Sequence, residues 1–358
     1  MSKVLFFGPY PLPITGQSIS FKEAFTGFEG NKILFNSTKF EDHKIFNTLY
    51  CLCLLPFFFI GKRFNKVYFT CSRSYPGFFK DFQLLFLCKL FNKKVINHLH
   101  GADFMDFYAN SGFLKSLIKW SYSKINTSIV LLPAMKNQFA AFPKMEVVVV
   151  PNAYSSEFEN IKVDVSNKKK QILFLSNIIE SKGVLVFLNA IKKILAEYPD
   201  VIVKIAGNPM GDEISDLKTI EYKFNKFYLP LKDNYPERIF YLGSISGLAK
   251  IKVLEESSIF VLPTYYKTEA FPISIIEAMR FGNAIITTNH NYLTDVIGEE
   301  NGFLVDVKSV DDLVLKLNVL LSDNENLVKI QKFNISDSLK KYNPLSFNRQ
   351  INKIISEI

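Results

Sequence analysis

Short apolar runs alternate along this chain with longer segments whose apolar residues recur at helical spacing. The runs have the length and the β-branched or aromatic content of strands, and the segments between them have one apolar face, as βαβ units require. Strands are predicted at residues 3–8, 66–70, 94–98, 128–132, 146–150, 171–175, 201–206, 239–242, 259–262 and 284–287. Helices are predicted at residues 18–28, 78–91, 182–197, 248–256, 272–281 and 310–321. The pattern indicates an α/β protein with parallel sheets.

A polar segment divides the strands into two series. Residues 151–170 contain little to bury and include the run Lys168–Lys170, so we predict a linker there. The domains on either side are predicted at residues 1–150 and 171–338. Residues 339–358 are predicted to contain the C-terminal helix, which begins after Pro344, a residue that suits a helix start. The apolar face of this helix consists of Phe347, Ile351, Ile354, Ile355 and Ile358.

The excess basic charge is confined to the first half. The chain has 43 Lys and Arg against 34 Asp and Glu, a net charge of +9. Residues 1–150 contain 18 basic and 8 acidic residues, whereas the remainder contains 25 and 26. This asymmetry predicts an anionic partner for the first half, although a merely solubilising charge is the alternative. The aromatic residues are mainly Phe within apolar runs, which is typical of a core, so we expect no nucleic-acid partner.

Residues 49–60 form the longest apolar stretch, with Pro56 inside it. Twelve residues are too few to cross a bilayer, which takes about 20, so a buried or interfacial helix is expected. The apolar run at residues 4–7 is too short for a secretory signal. No pair of cysteines has C-x2-C spacing, which favours free, mostly buried thiols in a reducing cytoplasm, at Cys51, Cys53, Cys71 and Cys88.

Two glutamates flank a predicted helix start. Glu269 and Glu277 are separated by seven residues, and Pro272 between them suits the first turn of a helix. A helix N-terminus binds anions, and carboxylates accept hydrogen bonds from sugar hydroxyls. The alternative is that Glu277 is a solvated helix residue and Glu269 a partner of the helix dipole.

The two glutamates, followed by Ala278 and Gly282, resemble the E-x7-E signature of retaining glycosyltransferases of family 4, bacterial surface-polysaccharide enzymes included. Further segments resemble this family in the same order: 8–18, 98–104, 150–153, 175–183, 205–207, 241–243, 261–264 and 301–305. The resemblance implies the α/β GT-B fold, in which two Rossmann-like domains face a central cleft and the C-terminal helix returns to the N-terminal domain.

The resemblance implies a donor site in the second domain for a UDP- or GDP-linked sugar, with no other cofactor. Glu277 would hold the ribose hydroxyls, Glu269 the donor sugar and Lys182 the diphosphate, although Lys182 could instead be a surface lysine. The other donor-binding positions implied are Gly16, Asn177, Gly243, Ile245, Ala270 and Phe271.

Asn177 departs from the family pattern, which usually has an arginine there. The phosphate contacts are therefore in doubt, since one cation stabilises a leaving diphosphate less than two. Lys267 and Arg280 are candidates for the missing cation.

On the acceptor side, the resemblance implies that His100 acts at the reaction centre with Glu269 and Lys182. His98, Asp103 and Gln17 would bind the acceptor. Asp103 is equally suited to capping the next helix. The two histidines would point to the same face if they lie on one strand.

The function implied is retaining transfer of a hexosyl or N-acetylhexosaminyl unit to a saccharide, lipid-diphosphate-linked, in O-antigen or capsule synthesis. The protein would be cytoplasmic and peripheral at the inner face of the plasma membrane. Its basic half would contact anionic lipid through Lys62, Arg63 and Lys66. No D-x-D triplet occurs, so metal-independent chemistry and no metal site are expected. A non-catalytic sugar-nucleotide binding module and a GT-B sugar-nucleotide epimerase are the alternatives.

Overall fold

The computed structural model describes residues 3–11, 15–40 and 43–358. The chain divides into two compact units: unit 1 is Met1–Ser156 with Pro344–Ile358, and unit 2 is Glu157–Asn343. Each unit contains a six-stranded sheet whose strand pairs are all parallel. The middle of the predicted loop after the first strand, residues 12–14, lies outside the described residues.

The sheet of unit 1 has the order β2-β1-β3-β4-β5-β6. Its strands are β1 (Val4–Gly8), β2 (Lys32–Asn36), β3 (Lys66–Phe69), β4 (Lys94–His98), β5 (Thr127–Val130) and β6 (Glu146–Val149). The helices that alternate with them are α1 (Gly16–Gly27), α2 (Lys44–Gly61), α3 (Tyr75–Leu90), α4 (Phe104–Ala109) and α5 (Lys115–Tyr122).

The sheet of unit 2 has the order β12-β11-β10-β7-β8-β9. Its strands are β7 (Lys169–Leu175), β8 (Ile202–Ala206), β9 (Ile239–Tyr241), β10 (Ser257–Leu262), β11 (Ala284–Thr288) and β12 (Gly302–Val305). Its helices are α6 (Val184–Glu197), α7 (Leu217–Asn234), α8 (Gly247–Glu256), α9 (Ile273–Arg280), α10 (Val310–Ser322) and α11 (Asn324–Lys341). The strand order reverses between β7 and β10, and ligands of open parallel sheets bind where the carboxyl ends of such strands diverge.

The chain ends in α12 (Pro344–Glu357), which belongs to unit 1. The predicted helix start after Pro344 agrees with α12, whereas residues 339–341 of the predicted segment belong to the end of α11. Phe347, Ile351 and Ile355 pack into the core of unit 1, which confirms that the C-terminal helix returns to the N-terminal domain.

Lys66 caps α12 within unit 1. Its Nζ donates hydrogen bonds to the carbonyl oxygens of Ile355 at 2.6 Å and Ser356 at 3.1 Å. Lys66 thus has an internal structural role and is the weakest of the three predicted lipid contacts. With α12 included, unit 1 has 20 basic and 9 acidic residues, and unit 2 has 23 basic and 25 acidic residues. The difference in charge between the two units is therefore larger than that between residues 1–150 and the rest of the chain.

The boundary between the two units, after Ser156, lies within the segment predicted as a linker, and parts of that segment are packed. Tyr154 in unit 1 and Phe158 in unit 2 are buried. In unit 2, Arg280 is 2% exposed and its Nη2 donates to the carbonyl oxygens of Phe158 at 2.9 Å and Ile161 at 2.6 Å. Arg280 thus anchors the start of unit 2, which corrects its suggested role as a second phosphate cation.

No helix among the described residues is long and apolar enough to cross a membrane.

Candidate functional site

The candidate site of unit 2 lies at the carboxyl ends of β7 and β10. After β7 the chain passes through Asn177 and a 3-10 turn that ends at Lys182, then enters α6 through Gly183. Gly183 has a φ of +80°, and a Cβ there would lie 2.0 Å from the carbonyl oxygen of Pro263. Only glycine permits this approach, which brings the loop that carries Lys182 against the segment after β10.

Lys182 and Glu269 form one ion pair. Glu269 is 7% exposed, and Lys182 Nζ donates a hydrogen bond to its Oε2. Thr264, which follows β10, donates through Oγ1 to the same oxygen at 3.2 Å. The ammonium of Lys182 also lies 4.9 Å from the centre of the Tyr266 ring. Two residues predicted for the reaction centre therefore share a buried, charged cluster, whereas a surface lysine would be solvated.

Hydrogen bonds from one loop hold the backbone around Glu269. Asn291 Nδ2 donates to the carbonyl oxygens of Lys267 and Glu269, both at 3.0 Å. His290 Nε2 is 2.9 Å from the carbonyl oxygen of Tyr266. The sequence analysis did not predict these two positioning side chains. The only sequence feature that could have indicated them is their position shortly after a predicted strand.

The backbone leading into α9 offers N–H groups to an anion. The side chains of Ala270 and Phe271 are buried, and the Ala270 N–H has no acceptor among the described residues. Pro272 has a φ of −63° and precedes the first residue of α9, Ile273. The N–H groups of a first helical turn have no intrahelical acceptor, so this segment suits an oxyanion.

Glu277 is buried inside α9 and paired with a lysine. It is 3% exposed, and its Oε2 lies 2.6 Å from Lys250 Nζ on α8. Burial raises the pKa of Glu277, and the Lys250 charge opposes this shift. The alternative of a solvated helix glutamate is therefore wrong. Lys250 was not predicted, because nothing in the spacing of α8 distinguishes it from an ordinary surface lysine.

The remaining predicted donor residues lie at the same edge of the sheet or in unit 1. Asn177 Nδ2 is 4.0 Å from the sulfur of Met210. Gly243 and Ile245 follow β9, and the Gly243 carbonyl oxygen accepts from the Gly207 N–H at 2.8 Å. Gly16 begins α1 in unit 1, where a Cβ would meet nothing within 4 Å. Their binding roles stay predictions.

The two histidines of unit 1 contact each other at the end of β4. Their ring centres are 4.0 Å apart, and His98 Nδ1 lies 2.5 Å from the hydroxyl of Tyr68. Burial lowers the pKa of His98 to about 3, and burial, His98 and Arg73 hold the pKa of His100 well below its usual range. Both imidazoles are therefore neutral near pH 7.

His100 is the better placed of the two to meet a ligand. His98 has no exposed surface, whereas His100 is half-buried. Nε2 of His98 and both ring nitrogens of His100 are buried and have no hydrogen-bond partner among the described residues. A neutral imidazole can donate from one nitrogen and accept at the other, which suits hydroxyl groups. The acceptor contacts of His98, and of Gln17 near the start of α1, stay predictions.

Asp103 pairs with an arginine that sequence reasoning missed. Its carboxylate Oδ1 is 2.6 Å from Arg73 Nε, and it makes no side-chain hydrogen bond to the N-terminus of α4. A Cβ at Gly101 would lie 2.3 Å from the guanidinium carbon of Arg73, so a side chain there would displace the guanidinium. Asp103 thus occupies the N-cap position of α4 without a capping hydrogen bond from its side chain, and its acceptor-binding role stays a prediction. Arg73 follows β3 at the carboxyl edge of the sheet, and this position was the only sequence feature that could have indicated it.

Known proteins are similar to this chain in sequence and in architecture. The family model described as "Glycosyl transferases group 1" matches residues 155–336, just over half of the chain. An uncharacterized glycosyltransferase of Haemophilus influenzae is 24% identical over 317 residues, or 84% of this chain and 82% of the relative. N,N'-diacetylbacillosaminyl-diphospho-undecaprenol alpha-1,3-N-acetylgalactosaminyltransferase of Campylobacter jejuni is 31% identical over 103 residues, or 28% of this chain and 26% of the relative.

A solved structure extends the similarity of fold to the whole chain. Anabaena HepE, in complex with UDP and glucose, matches with a TM-score of 0.74 at 14% identity, over 100% of both chains. At this identity the likeness concerns the fold alone. The matched family model and the two parallel α/β sheets establish that the chain is a member of the group 1 glycosyltransferases, with the GT-B fold.

Proposed function

We propose that this glycosyltransferase moves a hexosyl or N-acetylhexosaminyl unit from a UDP- or GDP-sugar to a saccharide hydroxyl, with retention at the anomeric carbon. The observation that carries the proposal is the buried cluster of Lys182, Glu269 and Thr264 at the strand-order reversal of unit 2. Buried Glu277, on the helix that follows, supplies a second carboxylate.

Donor binding would exchange the partners of Lys182. Its ammonium leaves Glu269 for the diphosphate, where a charge-assisted hydrogen bond contributes about 1.5–3 kcal/mol. Glu269 then accepts hydrogen bonds from the hydroxyls of the donor sugar. The N–H groups at Ala270 and at the start of α9 share the phosphate charge, so neither a resident cofactor nor a metal ion is needed.

Retention follows if the acceptor attacks from the face that the diphosphate leaves. The bond between the anomeric carbon and the phosphate oxygen breaks, a bond to the acceptor oxygen forms, and the hydroxyl proton passes to the leaving phosphate oxygen. No carboxylate base is required. The neutral His100 would orient a hydroxyl in this step.

The proposed acceptor is a lipid-diphosphate-linked saccharide of surface-polysaccharide synthesis, such as O-antigen or capsule. A relative that carries diphospho-undecaprenol in its name and the basic surplus of unit 1 support it. We place the enzyme in the cytoplasm at the inner face of the plasma membrane, where unpaired thiols such as its four cysteines persist.

A panel of UDP- and GDP-sugars tests the donor class. We expect one donor to raise the unfolding temperature and to be hydrolysed slowly to its nucleoside diphosphate and free sugar. No shift and no hydrolysis with any donor would contradict the proposal. Binding without turnover would indicate a binding module, and release of an epimerised sugar would indicate an epimerase.

We expect Lys250→Met to weaken donor binding at acid pH more than at alkaline pH. Without the Lys250 charge, the pKa of buried Glu277 rises further, and the protonated carboxyl accepts fewer hydrogen bonds. Donor binding needs the ionised carboxylate of Glu277, so donor affinity is retained above the pKa of Glu277 and lost as the pH falls through it. In Lys250→Met, the loss of donor affinity on acidification should therefore occur at a higher pH than in the wild type.

The matched control for this variant is Lys252→Met, on the exposed side of the same helix. It should leave the profile unchanged. If donor affinity falls at the same acid pH in Lys250→Met as in the wild type, Lys250 does not affect donor binding through Glu277.

A further inference from the structure

Helix α2 is apolar on its outer face as well as on its inner face. Four side chains spaced four residues apart are buried, at Asn47, Cys51, Leu55 and Phe59. The exposed side chains are also apolar: Ile45, Phe46, Leu49, Cys53, Leu54, Phe57 and Ile60. Phe57 and Ile60 are 70% and 76% exposed, and residues 45–61 contain no charged side chain. An ordinary surface helix is polar on its solvent side, so the apolar outer face of α2 indicates a surface that contacts an apolar partner.

The surroundings of this face are basic and partly apolar. Lys62 and Arg63 follow α2 directly, and both are exposed. Helix α3 packs beside α2 and exposes Phe86 and Leu90. The ring of Phe91, directly after α3, lies 5.7 Å from that of Phe59 on α2. Unit 1 as a whole carries 20 basic against 9 acidic residues.

We infer that the outer face of α2, Ile45–Ile60, inserts into the interface of an anionic lipid bilayer. The helix lies flat in this arrangement, because its opposite face stays packed on unit 1. Apolar side chains enter the acyl boundary, and Lys62 and Arg63 reach the headgroups. The charge favours a membrane over a second copy of the chain, since a symmetric contact would bring two identical basic surfaces together. This inference rests on the proposed function and extends it, because contact with the bilayer would hold the enzyme beside a lipid-linked acceptor.

Cys53 provides a reporter within this face. It is exposed, while the other three cysteines are buried, so a thiol-reactive, environment-sensitive fluorophore should label it selectively in the full chain. We expect its emission to shift to shorter wavelength with phosphatidylcholine vesicles that contain about one third phosphatidylglycerol. We also expect protection from an aqueous quencher. An emission wavelength that does not change with these vesicles would overturn the inference. A shift without lipid that grows with protein concentration would also overturn it, because it would indicate that a second copy of the chain covers this face.

Two unlabelled variants test the same face by vesicle sedimentation. Leu49→Glu and Phe57→Glu should each lower the partition onto these vesicles about tenfold or more, because a buried apolar contact is replaced by a charge. The matched control is Leu229→Glu on α7 in unit 2, because Leu49 and Leu229 are both 52% exposed and both lie on helices of 18 residues. Equal partition of all three variants and the wild type would overturn the inference.

Donor hydrolysis without lipid keeps this test separate from the proposed function. The α2 variants should hydrolyse the donor at the wild-type rate, because their substituted side chains lie outside the candidate site. Lost vesicle binding with intact hydrolysis supports the inference. Wild-type protein that binds vesicles through α2 and hydrolyses no donor would instead overturn the proposed function alone.

Discussion

Replacing Glu277 with alanine is expected to lower kcat/KM for donor hydrolysis about a hundredfold or more. The carboxylate would accept hydrogen bonds from two ribose hydroxyls, each contributing about 1.5–3 kcal/mol when one partner is charged. Because these bonds form on binding and persist in the transition state, the loss should appear mainly in KM. Steady-state hydrolysis of the donor found in the sugar-nucleotide panel measures the effect.

The control for this variant is Glu299→Ala, an exposed glutamate of unit 2. It should hydrolyse the donor like the wild type. Glu277→Gln keeps the side-chain volume within buried α9 and should lose activity in the same direction. Equal rates for the wild type and Glu277→Ala would remove Glu277 from the donor site.

Replacing Lys182 with methionine is expected to lower kcat about tenfold to a hundredfold, the value of one charge-assisted hydrogen bond to a leaving diphosphate. The loss should extend to kcat, because the bond that forms on donor binding strengthens as negative charge develops on the oxygen that leaves the anomeric carbon. Steady-state kinetics at saturating donor measure it.

Lys182→Met should also lower the unfolding temperature, because it leaves buried Glu269 with Thr264 as its remaining hydrogen-bond donor among the described side chains. Kinetics are therefore measured well below that temperature. The control is Lys192→Met on α6, which is exposed and should change neither quantity. An unchanged kcat for Lys182→Met would contradict the assigned role.

Much of the fold follows from the apolar pattern. The predicted strands and helices, the C-terminal helix after Pro344 included, lie within three residues of the observed ones, and the apolar stretch at 49–60 is part of the longer helix α2. Helix α11 was missed because it buries Asn334 and Ser338, so polar residues fill positions where the pattern requires apolar ones. Strand β2 and helix α7 were missed as well, and α7 contains Pro230, which normally interrupts a helix.

The candidate site was predictable in its residue types but not in their partners. The spacing of Glu269 and Glu277 around Pro272 indicated a helix start between two carboxylates, and the structure has one. Their pairing with Lys182 and Lys250 depends on contacts across 87 and 27 positions of the chain, which periodicity does not report. Arg73 escaped notice for the same reason, since its partner Asp103 follows a different strand.

The anomeric configuration of the transfer product shows whether the enzyme is a retaining transferase. The enzyme is incubated with its nucleotide-sugar donor and a saccharide acceptor, and the new linkage is identified by proton NMR from its anomeric coupling constant. Our account predicts the configuration that the sugar has in the donor. The opposite configuration would contradict retaining transfer at the site formed by Lys182, Glu269 and Glu277.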